Sequence, residues 1–178
     1  MRTDRLQREY GVELRWSVFP LHPETPEEGL ELAELFAGRE EMIRSMQARL
    51  RELAAAEGLP LADRSRTANS RRAQELGKWA QERGKGDSFR MAVYHAFFVE
   101  GRNIAMLDEL EAIAGSVGLS GAEAREVVAS GSFAAEVDAD WRRARELGIT
   151  GVPTHICRGK KLVGFSPYED FVRLIGRR

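Results

Sequence analysis

Thr150-Gly151-Val152-Pro153-Thr154-His155-Ile156-Cys157-Arg158-Gly159-Lys160-Lys161-Leu162-Val163-Gly164-Phe165-Ser166-Pro167-Tyr168-Glu169 is the stretch that decides the fold. Gly151-Val152-Pro153 breaks a long helical pattern. Thr154–Cys157 then reads as a short strand, residues 158–161 as a turn and residues 162–165 as a second strand, which makes a hairpin. Ser166-Pro167-Tyr168-Glu169 combines a capping-box pattern with Pro at the first helical position. Phe171, Leu174 and Ile175 supply the buried stripe of the helix that follows. A proline after a Gly-containing turn and directly before a strand is a place for a cis peptide bond. Cis occurs in only about 5–6% of X–Pro bonds, so spacing alone does not assign it.

Working back from the hairpin, residues 31–147 are helical in pattern. Met42, Ile43, Met46, Leu50 and Leu53 form a stripe at spacings near 3.6, which predicts a buried face. Asn69 caps the next expected helix, with Ala73, Leu76, Trp79 and Ala80 inward. Phe89, Val93, Ala96 and Phe97 mark a third. Leu107, Leu110, Ile113, Ala114 and Val117 mark a fourth, closed by Gly118. Ser120-Gly121-Ala122-Glu123 opens a fifth with a capping box. Val137, Trp141 and Ala144 mark a sixth. Ahead of this block, Pro20, Pro23 and Pro26 predict a loop over residues 20–30. Apolar residues at 12, 14, 16 and 18 have period two and predict a strand over 12–19. Residues 3–10 read as the tail of a helix ending at Gly11.

The expected architecture is α/β with a helical insertion. Residues 1–30 and 149–178 form one domain, and 31–148 an inserted helical domain. The chain has 178 residues, 27 Lys+Arg against 28 Asp+Glu, and a single cysteine. That length supports one core, or one core with a large insertion. Near-neutral charge argues against a nucleic-acid binder, and no stretch approaches the ~20 apolar residues of a membrane span. One cysteine excludes an intrachain disulfide and a multi-cysteine metal site. Met1–Arg5 has no apolar signal-peptide core, so a cytoplasmic location is expected.

The hairpin stretch resembles the C-terminal end of DsbA-type thioredoxin-fold proteins, closest to the FrnE-like branch. Phe19-Pro20-Leu21-His22-Pro23 followed by Pro26-Glu27-Glu28-Gly29, Asn69-Ser70 opening a helix, Phe97–Ile104 and Gly148–Pro153 are similar to that family's segments in the same order. The resemblance implies an α/β, thioredoxin-like fold with a large helical insertion. Its implied chemistry is thiol–disulfide exchange by a CxxC pair at a helix N-terminus, where the thiol pKa is lowered. A cis-proline faces that pair. It also implies that Val152, Pro153, Thr154 and His155 bind a thiol or disulfide substrate, peptide or glutathione-like, without a cofactor. The family's first strand and CxxC have no counterpart in these residues. The expectation is therefore an N-terminally truncated fold whose central first strand is missing, with no catalytic residue and no activity as it stands. A miscalled start, a strand supplied by a partner and a decaying gene all account for this.

Two alternatives stand beside that reading. One is a glutathione-dependent isomerase or transferase on the same fold. The other is a non-catalytic binding or assembly protein whose sheet a partner strand completes, which brings a homodimer among the expected partners. Cys157 reads first as a small hydrophobe in a strand. His22, His95 and His155 share no metal-ligand spacing, so no metal is expected. The run Arg64, Arg66, Arg71 and Arg72 lacks interleaved aromatics and reads as a solvated loop and helix start rather than a nucleic-acid site. Phe89, Tyr94, Phe97 and Phe98 read first as core.

Overall fold

The computed structural model describes residues 2–176. In chain order the elements are α1 (Arg2–Tyr10), β1 (Leu30–Glu31), α2 (Leu32–Leu35), α3 (Glu40–Ala56), β2 (Arg66–Thr67), α4 (Arg71–Glu82), α5 (Gly86–Phe98), α6 (Leu107–Ser116), α7 (Gly121–Ser130), α8 (Ala134–Glu146), β3 (Thr154–Cys157), β4 (Lys160–Val163) and α9 (Tyr168–Leu174). They fall into two compact units, Met1–Leu21 with Asp138–Arg178, and His22–Val137.

The second unit is built on the apolar stripes. Leu76, Trp79, Phe89, Leu110 and Ile113 are each at most 2% exposed and form one cluster with Ala80, Ala96 and Ala114. Each such large side chain contributes roughly 1.5–3 kcal/mol by leaving water. Helix α4 packs on α5 and α7, and α6 packs on α5 and α7. Asn69 sets the start of α4. Its Oδ1 accepts the Arg71 amide at 2.8 Å, and its Nδ2 donates to the carbonyls of Pro23 and Thr25 at 3.1 and 2.8 Å.

Those bonds place the loop of residues 22–30, expected with the terminal segments, in the helical unit. Asn103 Nδ2 adds a bond to the Glu27 carbonyl at 2.8 Å. A two-residue ladder, Leu30 opposite Thr67 and Glu31 opposite Arg66, closes the loop. Gly29 makes it feasible. Its φ is +83°, and a Cβ there would lie 2.6 Å from the Thr67 carbonyl oxygen, a conformation and an approach that only glycine accommodates.

The stripe on α3 is a correction. Of its residues only Ile43 is buried, while Met42, Met46 and Leu50 are 49, 48 and 50% exposed. Periodicity identifies an apolar face but not what covers it. Here the adjacent row holds the helix in place. Gln47 Nε2 donates to the Arg64 carbonyl at 2.8 Å, and Arg51 pairs with Asp63.

The first unit contains the hairpin. β3 and β4 pair antiparallel, with Thr154 opposite Val163 and Cys157 opposite Lys160. The turn is shorter than expected and the second strand starts at Lys160 rather than 162. Arg158 and Gly159 both have positive φ, 50° and 78°, and two such residues are enough to close a hairpin in register with strand twist. Helix α9 starts at Tyr168 after Pro167, without a side-chain cap, so the expected Ser166 capping box does not form. Phe171 is its buried anchor, and α9 packs on β4 and α1. Tyr168 Oη donates to Glu9 at 2.7 Å, and the Arg5 guanidinium lies 4.0 Å over the Tyr168 ring. The phenol is pushed up to about 12, by desolvation first and then by the bond to the Glu9 carboxylate.

The strand expected over residues 12–19 is also corrected. Among the described residues those positions join no sheet. A strand needs a neighbour to exchange main-chain bonds with, and none lies alongside. Instead the Val18 amide donates to Asp140 Oδ2 at 2.9 Å, and Ser17 Oγ donates to Oδ1 at 3.4 Å.

Candidate functional site: the hairpin entered through Pro153

The Val152–Pro153 peptide is cis. It leads straight into β3, and the Pro153 carbonyl accepts the Gly164 amide at 2.8 Å. Thr154 Oγ1 donates to the Gly151 carbonyl at 2.7 Å and ties the turn to the strand. Val152 is 50% exposed and Pro153 is exposed.

The register then sorts the side chains. Neighbours along a strand alternate between faces. Ile156 and Val163 lie on one face of the hairpin with Thr154 and Lys161. Ile156 and Val163 are 39 and 63% exposed, and Val152 ahead of β3 and Phe165 beyond β4 are 50 and 52% exposed. His155 and Cys157 lie on the other face, both half-buried. The His155 ring meets Phe171 edge to face at 4.7 Å, and its Nδ1 is buried without a partner among the described residues. Burial pushes the imidazole below its ordinary value. The four positions expected to bind substrate therefore split. Val152 and Pro153 present themselves outward, while Thr154 braces the turn and His155 turns toward α9.

The register also defines an open edge. Because Pro153 and Gly164 form a bonded pair, the next bonded pairs are His155 with Leu162 and Cys157 with Lys160. The main-chain groups of Thr154 and Ile156 therefore face away from β4. They have no main-chain partner among the described residues.

The other residues singled out in the sequence lie elsewhere. His22 sits 3.4 Å from Glu24, and His95 Nδ1 sits 3.2 Å from Glu100. Among the described residues no group of three or more His, Cys, Asp or Glu side chains is arranged to hold a metal. The arginine run is neutralised within the chain: Arg66 by Glu31, Arg71 by Glu75 at 2.6 Å and Arg72 by Glu27. Arg64 lies 4.2 Å over the Phe97 ring, with its guanidinium lowered by burial. Phe89 is core, whereas Tyr94 and Phe98 are 46 and 39% exposed. Sequence reasoning missed that Ile156 and Val163 share a face of the hairpin. Placing the turn at 158–159 rather than 158–161 sets that register.

A hairpin entered through a cis-proline and backed by a terminal helix is the C-terminal half of a thioredoxin-like fold. The chain belongs to the DSBA-like thioredoxin domain family, whose model matches residues 1–176. Among solved structures it is similar to a probable DsbA oxidoreductase from Streptomyces coelicolor, at 27% identity and a TM-score of 0.87, covering 98% of this chain and 80% of that one. It is also similar in fold to a 2-hydroxychromene-2-carboxylate isomerase, at 19% identity and a TM-score of 0.74, covering 97% and 83%. No curated protein matches it. No helix among the described residues is long and apolar enough to cross a membrane.

Proposed function

We propose that this chain carries the substrate-binding hairpin of a DsbA-like thiol–disulfide oxidoreductase and that its 178 residues alone turn over no disulfide. The observation that carries the reading is the pair of exposed residues Val152 and Pro153 leading into β3, on a hairpin whose Ile156 and Val163 are also exposed on one face. Exposed apolar side chains beside a proline suit an extended peptide, which would lay its backbone along the proline and its side chains on them. Val152, Pro153 and Thr154 are the binding positions, with His155 supporting them from behind. A dithiol–disulfide cycle needs two thiols, and Cys157 is the one cysteine of the sequence. The test is insulin reduction by dithiothreitol with and without the chain. The rate with the chain equals the blank; acceleration by the chain overturns the reading.

A second reading, a binding or assembly role in which a partner's strand joins the sheet, is favoured by the open main-chain edge at Thr154 and Ile156. Hydrogen exchange measured with and without a candidate partner checks it. Slowed exchange of the Thr154 and Ile156 amides supports the role. Unchanged exchange in a complex proven to form defeats it.

A further inference from the structure

We propose that the basic end of the first unit, where the hairpin turn meets the last turn of α8, selects an acidic segment as the extended peptide laid along β3. The proposal rests on the peptide-binding reading above and adds to it the charge of the substrate. The chain's net charge of -1 hides a division. The unit of Met1–Leu21 with Asp138–Arg178 carries 13 Lys+Arg against 8 Asp+Glu, a net +5, and the unit of His22–Val137 carries 14 against 20, a net -6. Exposed charges more than about 8–10 Å apart are largely screened from one another at physiological salt, so a partner docking on one unit meets that unit's own sign.

Within the first unit the excess is concentrated. Lys161 Nζ donates to the Leu147 carbonyl and brings the start of β4 against the end of α8. Arg143 and Arg145 lie in that last turn of α8, and Arg158 and Lys160 lie at the hairpin turn beside Lys161. These four are exposed, and among the described residues none of them pairs with a carboxylate. By contrast Arg5, Arg15 and Arg173 of the same unit are each paired, with Glu9, Glu13 and Asp170. Arg143 and Arg145 also complement the C-terminal dipole of α8, but its roughly half a negative charge does not cancel two guanidinium groups.

The neighbouring groups identify the class of anion. Thr154 and Ile156 present main-chain groups that have no main-chain partner among the described residues, and an extended polypeptide returns both donors and acceptors to such an edge. Ile156 and Val163 are exposed on the face they share with Lys161, which suits apolar side chains of that peptide. A single-stranded nucleic acid would call for aromatic rings among the cations, and residues 142–148 and 157–163 contain none. The five residues from Pro153 to Arg158 extend about 16 Å. Acidic residues four or five positions beyond the one opposite Pro153 therefore reach the cations.

The test titrates the full chain against eight-residue peptides that share an alternating Val-Ser stretch and a neutral dye and end in three Glu, three Gln or three Lys. Binding is read by fluorescence anisotropy. The affinities rank Glu, Gln, Lys, with Glu about tenfold above Gln at low salt, and the gap closes as salt is raised. Arg158→Glu combined with Lys160→Glu, at exposed positions that leave folding intact by circular dichroism, reverses the ranking. Arg39→Glu combined with Arg49→Glu, the same change of net charge made in the acidic unit, leaves the ranking in place. Equal binding of the Glu and Gln peptides, with both slowing exchange of the Thr154 and Ile156 amides, overturns the acidic preference and leaves the peptide reading standing. Binding of no peptide overturns both. A preference indifferent to Arg158→Glu with Lys160→Glu overturns the proposal, as does a duplex oligonucleotide that binds more tightly than the Glu peptide at the same salt.

Discussion

Val18 and Asp140 are joined across 122 residues of chain, the Val18 amide donating to the Asp140 carboxylate at 2.9 Å. Asp140 also takes the Ser17 hydroxyl at 3.4 Å. One side chain on α8 thus substitutes for the ladder that residues 12–19 lack. A bond from a main-chain amide to a carboxylate in a half-buried setting contributes about 1–2 kcal/mol. Asp140→Ala lowers stability by that amount in urea unfolding and speeds exchange of the Val18 amide. Asp140→Asn keeps an acceptor oxygen and loses less.

Trp79 is 1% exposed at the centre of the helical unit, and its indole N–H has no acceptor among the described residues. Trp79→Ala removes the largest core side chain and costs about 3–5 kcal/mol. Trp79→Phe sacrifices no hydrogen bond, so its cost is well under half of that. Urea midpoints of the two variants check the ordering.

The cap of α7 is half of the pattern read in the sequence. Ser120 Oγ accepts the Glu123 amide at 3.2 Å, but the Glu123 carboxylate turns to Arg83, 2.6 Å away. Ser120→Ala therefore costs about 1 kcal/mol. Glu123→Gln loses only an exposed ion pair, about 0.2–1 kcal/mol. Thermal unfolding of both variants in low and high salt separates them, since salt erases the second difference and leaves the first.

His155 gives the first unit a pH dependence. Burial lowers its folded pKa below the ordinary 6.5, so the unfolded chain binds the proton more readily. Stability is complete above the unfolded value and is lost as pH falls from there through the folded value. Melting temperatures measured between about pH 7.5 and about pH 5.5 fall more steeply for the natural chain than for His155→Gln. His22 and His95 are common to both and cancel in the comparison.

The helical unit was legible in the sequence because its stripes repeat at 3.6 residues and its caps are local. Leu76, Trp79, Phe89, Leu110 and Ile113 all lie where the periodicity put them. What failed depended on neighbours distant in sequence. Residues 12–19 have the alternation of a strand, yet alternation does not supply the adjacent strand. The row of Met42, Met46 and Leu50 is as periodic as the core stripes, yet nothing in its spacing states that only Ile43 meets the unit. The ladder of Leu30–Glu31 with Arg66–Thr67 is too short to leave a pattern. The expectation at Val152 and Pro153 comes from the order of several weak motifs, and the cis geometry at Pro153 was beyond what the spacing assigns.

The open edge of β3 has a bearing on how this chain behaves in concentrated solution. An unbonded strand edge beside exposed Ile156 and Val163 is a template on which other molecules can stack into filaments. Its length limits that hazard. Only Thr154 and Ile156 offer outward main-chain groups, so an incoming strand gains few bonds for the freedom it surrenders. The turn that follows supplies a charge at the exposed Arg158, next to the end of that edge, while Lys161 on β4 is held by the Leu147 carbonyl. Lengthening β3 by apolar residues would turn this short edge into a nucleus for fibre growth.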